Sequence, residues 1–351
     1  MNYFKVICTI FLSVIILSAC SGEEVSNQDE VSGKQIGNDP EVTITFSHNQ
    51  SVASTEHIGA EKFKEVIEEE SDGKVEVDIY PSSQLGALRE QVESTQIGEI
   101  DITMQPAAVI TPFEDDVKII DLPYLWPTDA EAMYQVLDSD AGTNILNTVE
   151  DSGLKGLGFW PGGYKVMTTK NSSIQDPEDL QGLTMRIMES PVLVDQFKHW
   201  GGNAIPVAYS EVYNALQLGI VDGQENPIQT VYMNNYYEVQ NNIIESYHGA
   251  MTYMLVANQE WYESLNPEIQ EYIVSAEKQA REASREALDE KEDEYRQEIK
   301  NTVENYYQFT EEDIEKFRDI SEPLWEEIYN TPEQKEILHE VQKEIDSVEN
   351  Q

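Results

Sequence analysis

The stretch LTMRIM, Leu183 to Met188, places a cation inside what reads as a short strand. Leu183, Met185 and Ile187 alternate onto one face, and Thr184, Arg186 and Met188 onto the other. A strand bounded by Gly182 and a Ser190-Pro191 helix start is a poor place for a solvated arginine. If Arg186 is buried it needs an anion, since an unpaired buried charge costs several kcal/mol or more. Two sources stay open. One is an internal carboxylate such as Glu189 or Asp195. The other is an anion from outside, which a guanidinium can grip through two parallel hydrogen bonds that also fix its orientation.

A second polar cluster, GIVDGQENP, runs from Gly219 to Pro227 after the helix-like SEVYNALQL. Ser210 reads as the N-cap of that helix and Gly219 as its stop. Ile220-Val221 then reads as a brief buried strand. Asn226 before Pro227 fits an N-cap followed by proline at the first helical position. Alternatively, the proline restrains the asparagine backbone so that its amide faces a cleft. Both roles stand on the residues alone.

Other chemistry is scarce. His48, His57, His199, His248 and His339 are scattered without metal-ligand spacing. No G-x-S-x-G elbow, P-loop or dinucleotide fingerprint is present, so neither a catalytic constellation nor a cofactor is expected. Acidic residues number 67 against 22 basic ones, a net charge of −45. That excess argues against nucleic acid or an anionic membrane surface as a partner and points to a strongly hydrated exterior. Carboxylate pairs are too abundant for any one of them to be informative.

The elements that must position Arg186 and Asn226 follow an α/β rhythm. EVTITFSHN, KVEVDIY and EIDITMQ read as strands, separated by helices over Thr55 to Glu70 and Ser83 to Thr95. A helix over Asp129 to Glu150 and a strand over Leu154 to Trp160 continue it. Pro161-Gly162-Gly163 reads as the first crossing between domains. TMRIM, a helix from Pro191, NAIPVA and SEVYNALQL form a second block, and IIESYHGAMTYMLVAN carries strands that return. From Asn266 onward, long helices with one solvated face are expected. At 351 residues the chain can hold two α/β lobes on mostly parallel sheets, with a cleft between them for a small ligand.

The N-terminus stands apart. One early charge, Lys5, precedes an apolar run from Val6 to Leu17, too short to span a membrane. It ends Leu17-Ser18-Ala19-Cys20, which resembles the lipobox of bacterial lipoproteins, where the cysteine is lipidated. The expected division is a signal peptide over 1–19, then lipidated Cys20 and a polar tether over 20–40. The first part of lobe I follows over 41–163 and lobe II over 164–250. Residues 251–351 would return to lobe I and supply the C-terminal helices. The only other cysteine, Cys8, lies in the segment to be removed, so no disulfide is expected.

YPSSQLGALRE, GFWPGGYKVMT, DLQGLTMRI, SEVYNALQLGIVDGQENP and YYEVQ, in that order, resemble the extracytoplasmic solute-binding proteins of TRAP (tripartite ATP-independent periplasmic) transporters, particularly the dicarboxylate-binding DctP type. The resemblance implies a two-lobed, periplasmic-binding-protein-like α/β fold with a ligand cleft between the lobes and long C-terminal helices. It makes Arg186 the carboxylate anchor, Asn226 a second contact to the same carboxylate, and Tyr209 a pocket wall. Lys165 stands where the family commonly has another arginine. His48, Asn49, Gln105 and His248 are further candidates near the cleft. The implied function is capture of an organic acid, foremost a C4-dicarboxylate, and delivery to membrane permease subunits, with the protein held outside the cell membrane by lipid on Cys20. Sialate-, uronate- and monocarboxylate-binding proteins share these motifs, and a receptor that presents its bound ligand to a membrane kinase would use the same pocket. An exported hydrolase would need a nucleophile or metal constellation. Some relatives form homodimers through a long C-terminal helix, and the acidic stretch beyond Asn266 decides neither way.

Overall fold

The computed structural model describes residues 40–350, so the lipobox, Cys20 and nearly all of the tether lie outside the described residues. The described chain opens with β1 (Val42–His48), α1 (Thr55–Glu70), β2 (Val75–Tyr80), α2 (Leu88–Gln96) and β3 (Ile102–Pro106). Val42, Ile44 and Phe46 alternate as expected, with Ile44 and Phe46 in the core. α1 is capped by the Ser54 hydroxyl and ends at Ser71. The helical start read at Ser83 moves to Leu88. Ser82 and Ser83 instead adopt left-handed backbone, with φ of 55° and 58°.

A short helix α3 (Ala107–Ile110) leads through a 3₁₀ segment to α4 (Ala130–Leu137) and α5 (Asp140–Thr148). The single helix expected over Asp129–Glu150 is therefore broken. Asp138 ends α4, and the Ser139 hydroxyl accepts the Ala141 amide and starts α5 afresh. β4 (Leu154–Thr169) is 16 residues long and runs without a break through Pro161-Gly162-Gly163, the segment where the first crossing between domains is expected; its pairing passes from β9 to β7 directly after it. The strand absorbs the proline and glycines as a register shift between Pro161 and Gly163 rather than stopping there.

Next come β5 (Thr184–Ile187), α6 (Pro191–His199), β6 (Asn203–Pro206), α7 (Val212–Leu218), β7 (Gly223–Pro227), α8 (Ile228–Met233), β8 (Asn242–Glu245) and β9 (Ala250–Asn258). The chain closes with α9 (Gln259–Ser264), α10 (Pro267–Lys300), β10 (Asn305–Gln308), α11 (Glu311–Ile328) and α12 (Pro332–Glu349). Among the described residues, no helix is long and apolar enough to cross a membrane.

The sheet order is β2-β1-β3-β9-β4-β7-β5-β6, with β8 between β4 and β10. One part, β2-β1-β3, is parallel and meets β9 antiparallel. The other part, β7-β5-β6, is also parallel, and β7 meets β4 antiparallel. β4 joins the two: Leu154 to Tyr164 pair with β9, and Lys165 to Thr169 with β7. α10 packs along α1 and β4, with Ile273, Ala276 and Ala280 in the same core as Phe46, Phe63 and Trp160.

Two local readings around GIVDGQENP change. Gly219 does end α7 in the left-handed conformation, φ 69°. α7 itself starts at Val212 after a 3₁₀ turn, so Ser210 is not its N-cap. Ile220 is 60% exposed, and the strand is Gly223–Pro227, all five residues buried. Asn226 is therefore a strand residue, while Pro227 occupies the cap position of α8. Pairing with β4 along its length, and with β5 at Gly223 and Gln224, satisfies the β7 backbone better than an early helix start could.

Candidate functional site

A cavity of about 570 Å³ opens where the parallel strands end. One wall is the loop after β1 (Asn49, Gln50, Ser51), the loop after β2 (Ser82, Ser83) and the start of α2 (Leu88, Arg89). The other is the end of β5 (Arg186, Met188, Glu189), the segment after β6 (Val207 to Ser210) and the end of α8 (Met233, Asn234). Both walls thus come from the carboxyl ends of parallel strands, the usual ligand position in open α/β sheets.

The loops of the first wall are tied together. Ser82 N donates to Gln50 O at 2.9 Å, and Ser83 N to His48 O at 3.1 Å. Two consecutive non-glycine residues in left-handed backbone store strain of roughly 1–3 kcal/mol each at this wall.

Arg186 is 2% exposed. Its Nε and Nη2 both donate to Val207 O, at 3.0 and 2.9 Å, and its buried Nη1 has no partner. Among the described residues no carboxylate pairs with it, so the internal salt bridge to Glu189 or Asp195 is not made. Burial lowers the guanidinium pKa, yet arginine starts so high that it keeps its charge. The cavity wall therefore holds a buried cation with no carboxylate paired to it among the described residues and with Nη1 lacking an acceptor.

Asn226 shares a sheet face with Arg186. Arg186 lies opposite Gln224 in the β5–β7 register, and Gln224 and Asn226 are two apart on one strand. The Asn226 amide donates to Gln224 Oε1. Gln224 Nε2 in turn donates to Thr168 Oγ1 at 3.1 Å, and Thr168 to Gln240 Oε1 at 3.0 Å. Asn226 is buried and is not among the residues that line the cavity. Tyr209 is on the wall, its hydroxyl accepting from Asn234 Nδ2 at 2.8 Å. Asn49 is on the opposite wall, buried, with its Oδ1 unpartnered.

Lys165 belongs elsewhere. It pairs in register with Pro227, which puts it with Glu225 on the face opposite Arg186. Its Nζ lies 3.3 Å from Glu225 Oε1 and 3.6 Å from Asp121 Oδ1, all three groups buried. His248 completes this cluster through Nε2, 2.7 Å from Glu225 Oε2, with Ser246 Oγ 2.6 Å from its Nδ1. Burial would raise the Glu225 carboxyl, but Lys165 and the His248 contact overcome it and hold the group at about 2. Lys165 and His248 thus satisfy each other's partner within the protein rather than facing the cavity.

His48 and Gln105 are also buried away from the wall. His48 Nε2 is 3.1 Å from His57 Nδ1, and burial together with that neighbour pushes its pKa to about 3. Gln105 Nε2 donates to Gln91 and Thr103, leaving Oε1 unpartnered. Among the described residues no His, Cys, Asp and Glu side chains converge as a metal site.

Sequence reasoning missed Gln50, Ser82, Ser83, Arg89 and Asn234. YPSSQLGALRE contained three of them, and Pro81-Ser82-Ser83 is a turn signal. Asn234 carried no signal. Glu56 was also missed. It sits in the first turn of α1, buried, and Gln229 Nε2 of α8 donates to both its oxygens at 3.0 and 2.9 Å. Burial pushes this carboxyl up to about 7.

Residues 46–332 match the family described as bacterial extracellular solute-binding protein, family 7, DctP. The C4-dicarboxylate-binding periplasmic protein DctP of Rhodobacter capsulatus is 35% identical over 229 residues, 65% of this chain and 68% of that protein. A TRAP periplasmic solute-binding protein from Desulfovibrio salexigens, solved with orotic acid, superposes with a TM-score of 0.83 at 29% identity. It covers 87% of this chain and 99% of its own. The periplasmic ectoine-binding protein of the Halomonas elongata TRAP transporter also gives 0.83, at 27% identity and the same coverage. The two-lobed α/β architecture with long C-terminal helices is common to them. The chain belongs to the DctP family, and it is the extracytoplasmic solute-binding component of a TRAP transporter rather than an enzyme.

Proposed function

We propose that this protein captures a small organic acid through Arg186, with a C4-dicarboxylate as the leading class, and delivers it to its permease. The observation that carries the reading is Arg186 itself: a fully buried guanidinium on a cavity wall, with Nη1 unpartnered and no carboxylate ion-paired to it among the described residues. An incoming carboxylate supplies the missing acceptor through charge-assisted hydrogen bonds. The R. capsulatus relative's name favours the C4 class. The two lobes close around the ligand by a hinge, with β4 running through both.

Outside this pocket the chain carries strong negative charge, which repels an anion at long range. Screening confines that repulsion to roughly 8 Å at physiological ionic strength, so the local cation decides capture. Lipid on Cys20 holds the protein to the outer face of the membrane. Incorporation of labelled palmitate, lost in Cys20→Ala, is the expected result, and equal labelling of the variant would contradict it.

The test of function is thermal unfolding of residues 21–351 against malate, succinate, fumarate, sialate, a uronate and pyruvate. A ligand at about 100 times its dissociation constant adds roughly 2.7 kcal/mol of stability. A shift with a C4-dicarboxylate establishes the class. A shift confined to another acid replaces the class while keeping the anchor.

A further inference from the structure

The cavity holds a second arginine, on the wall opposite Arg186. Arg89 is the second residue of α2, and its side chain is half exposed. Its Nε donates to Glu93 Oε1 at 2.9 Å, one turn along the helix, and its guanidinium carbon lies 5.1 Å over the Phe113 ring. The ring contact and the Nε bond together hold the group at this wall. That arrangement leaves the Nη1–Nη2 edge without a hydrogen bond among the described residues. This edge can grip a carboxylate with two parallel bonds. The cavity lining thus carries two guanidinium groups on different elements and one carboxylate, Glu189, with Glu93 paired to Arg89 beside it, in a chain whose net charge is −45.

We propose that Arg89 is a specificity-determining residue that binds the second, distal anionic group of the ligand. The inference rests on the reading of Arg186 as the anchor of the first carboxylate. Arg186 then selects for an acid and Arg89 selects a diacid over a monoacid. Lys165 cannot take that part while Glu225 and Asp121 hold it on the other sheet face. Glu189, exposed on the same cavity wall, is the competing selector, since it would favour a cationic distal group.

Three four-carbon ligands separate these outcomes: succinate with a distal anion, succinamate with a distal neutral amide, and 4-aminobutyrate with a distal cation. Calorimetric titration of each into the wild type, Arg89→Gln, Arg89→Lys and Arg186→Gln reads affinity ratios rather than single values. The wild type is expected to prefer succinate over succinamate by about tenfold or more, the scale of a charge-assisted hydrogen bond. Arg89→Gln should bring that ratio to within about twofold, with Arg89→Lys in between, because lysine keeps the charge and loses the fork. Arg186→Gln should weaken both ligands together.

An unchanged ratio in Arg89→Gln overturns the role of Arg89 while leaving the Arg186 reading intact. A wild type that binds succinamate or 4-aminobutyrate at least as tightly as succinate also overturns it, the latter assigning selection to Glu189. If none of the three binds the wild type although another carboxylate does, the distal subsite is wrong and the anchor survives. If no organic acid binds at all, both fall. Equal melting temperatures of the unliganded wild type and Arg89→Gln exclude a folding defect as the cause of a changed ratio.

Discussion

Glu56 offers the sharpest energetic prediction, because its burial and its single cross-element partner set both the sign and the size of the effect. The carboxyl titrates at 4.5 when unfolded and at about 7 in the folded chain. Between those values the folded chain holds the proton and the unfolded chain has released it. The folded state therefore binds more protons, and its stability falls as pH rises through this window. From pH 5 to pH 8 the loss from this one group is on the order of 2–3 kcal/mol. Glu56→Gln removes the titration while keeping the shape. The substitution also alters the contact with Gln229, but that offset is the same at every pH and cancels from the comparison. Urea unfolding of both proteins at pH 5, 6, 7 and 8 gives the stability difference at each pH. The difference should move by roughly 2–3 kcal/mol in favour of the variant as pH rises. A difference constant to within about 0.5 kcal/mol across that range would refute the assignment of a buried, protonated carboxyl between α1 and α8.

Substitutions at Lys165, Glu225 and Ser83 test the buried charge cluster and the loop after β2. Lys165→Met should cost about 3–5 kcal/mol in urea unfolding by leaving buried carboxylates short of a cation. Adding Glu225→Gln to it should recover a large part, and a double variant no better than the single would contradict the pairing. Ser83→Gly should raise stability modestly. Relief of left-handed backbone, about 1–2 kcal/mol, outweighs the entropy cost of glycine, about 0.5–1 kcal/mol. An equal or lower unfolding midpoint would show that the loop pays no such strain.

The regular α/β elements were legible because their burial is one-sided. Val75 and Val77 alternate with exposed residues on β2, and Ser71-Asp72-Gly73 ends α1 where the pattern stops. β7 was illegible for the opposite reason. Gly223 to Pro227 are buried on both faces, so GQENP shows no alternation, and a polar run reads as a turn. Gly223 is required there by close approach: a Cβ would sit 2.2 Å from Thr168 O. β4 hid its continuity because Pro161 and two glycines look like breakers, whereas pairing with β9 on either side of the shift carries the strand through.

At the site, Arg186 could be found because a cation in a buried strand demands an explanation. Asn49 and Tyr209 came only through family motifs. Lys165 and His248 read as ligand candidates, but what surrounds them is Glu225, a residue 60 positions from one and 23 from the other. The Glu56–Gln229 contact spans 173 positions and joins two helices that no local pattern relates.

The measurement closest to the central claim is calorimetric titration of the best-shifting organic acid into the wild type and Arg186→Met. Removing the guanidinium removes charge-assisted hydrogen bonds worth roughly 1.5–3 kcal/mol each, so binding should weaken by two orders of magnitude or more. Methionine also relieves the burial of an unpaired cation, so the unliganded variant should unfold no more easily than the wild type. Ligand affinity retained within about tenfold in a folded Arg186→Met would contradict the account, because the buried guanidinium would then not be what holds the acid.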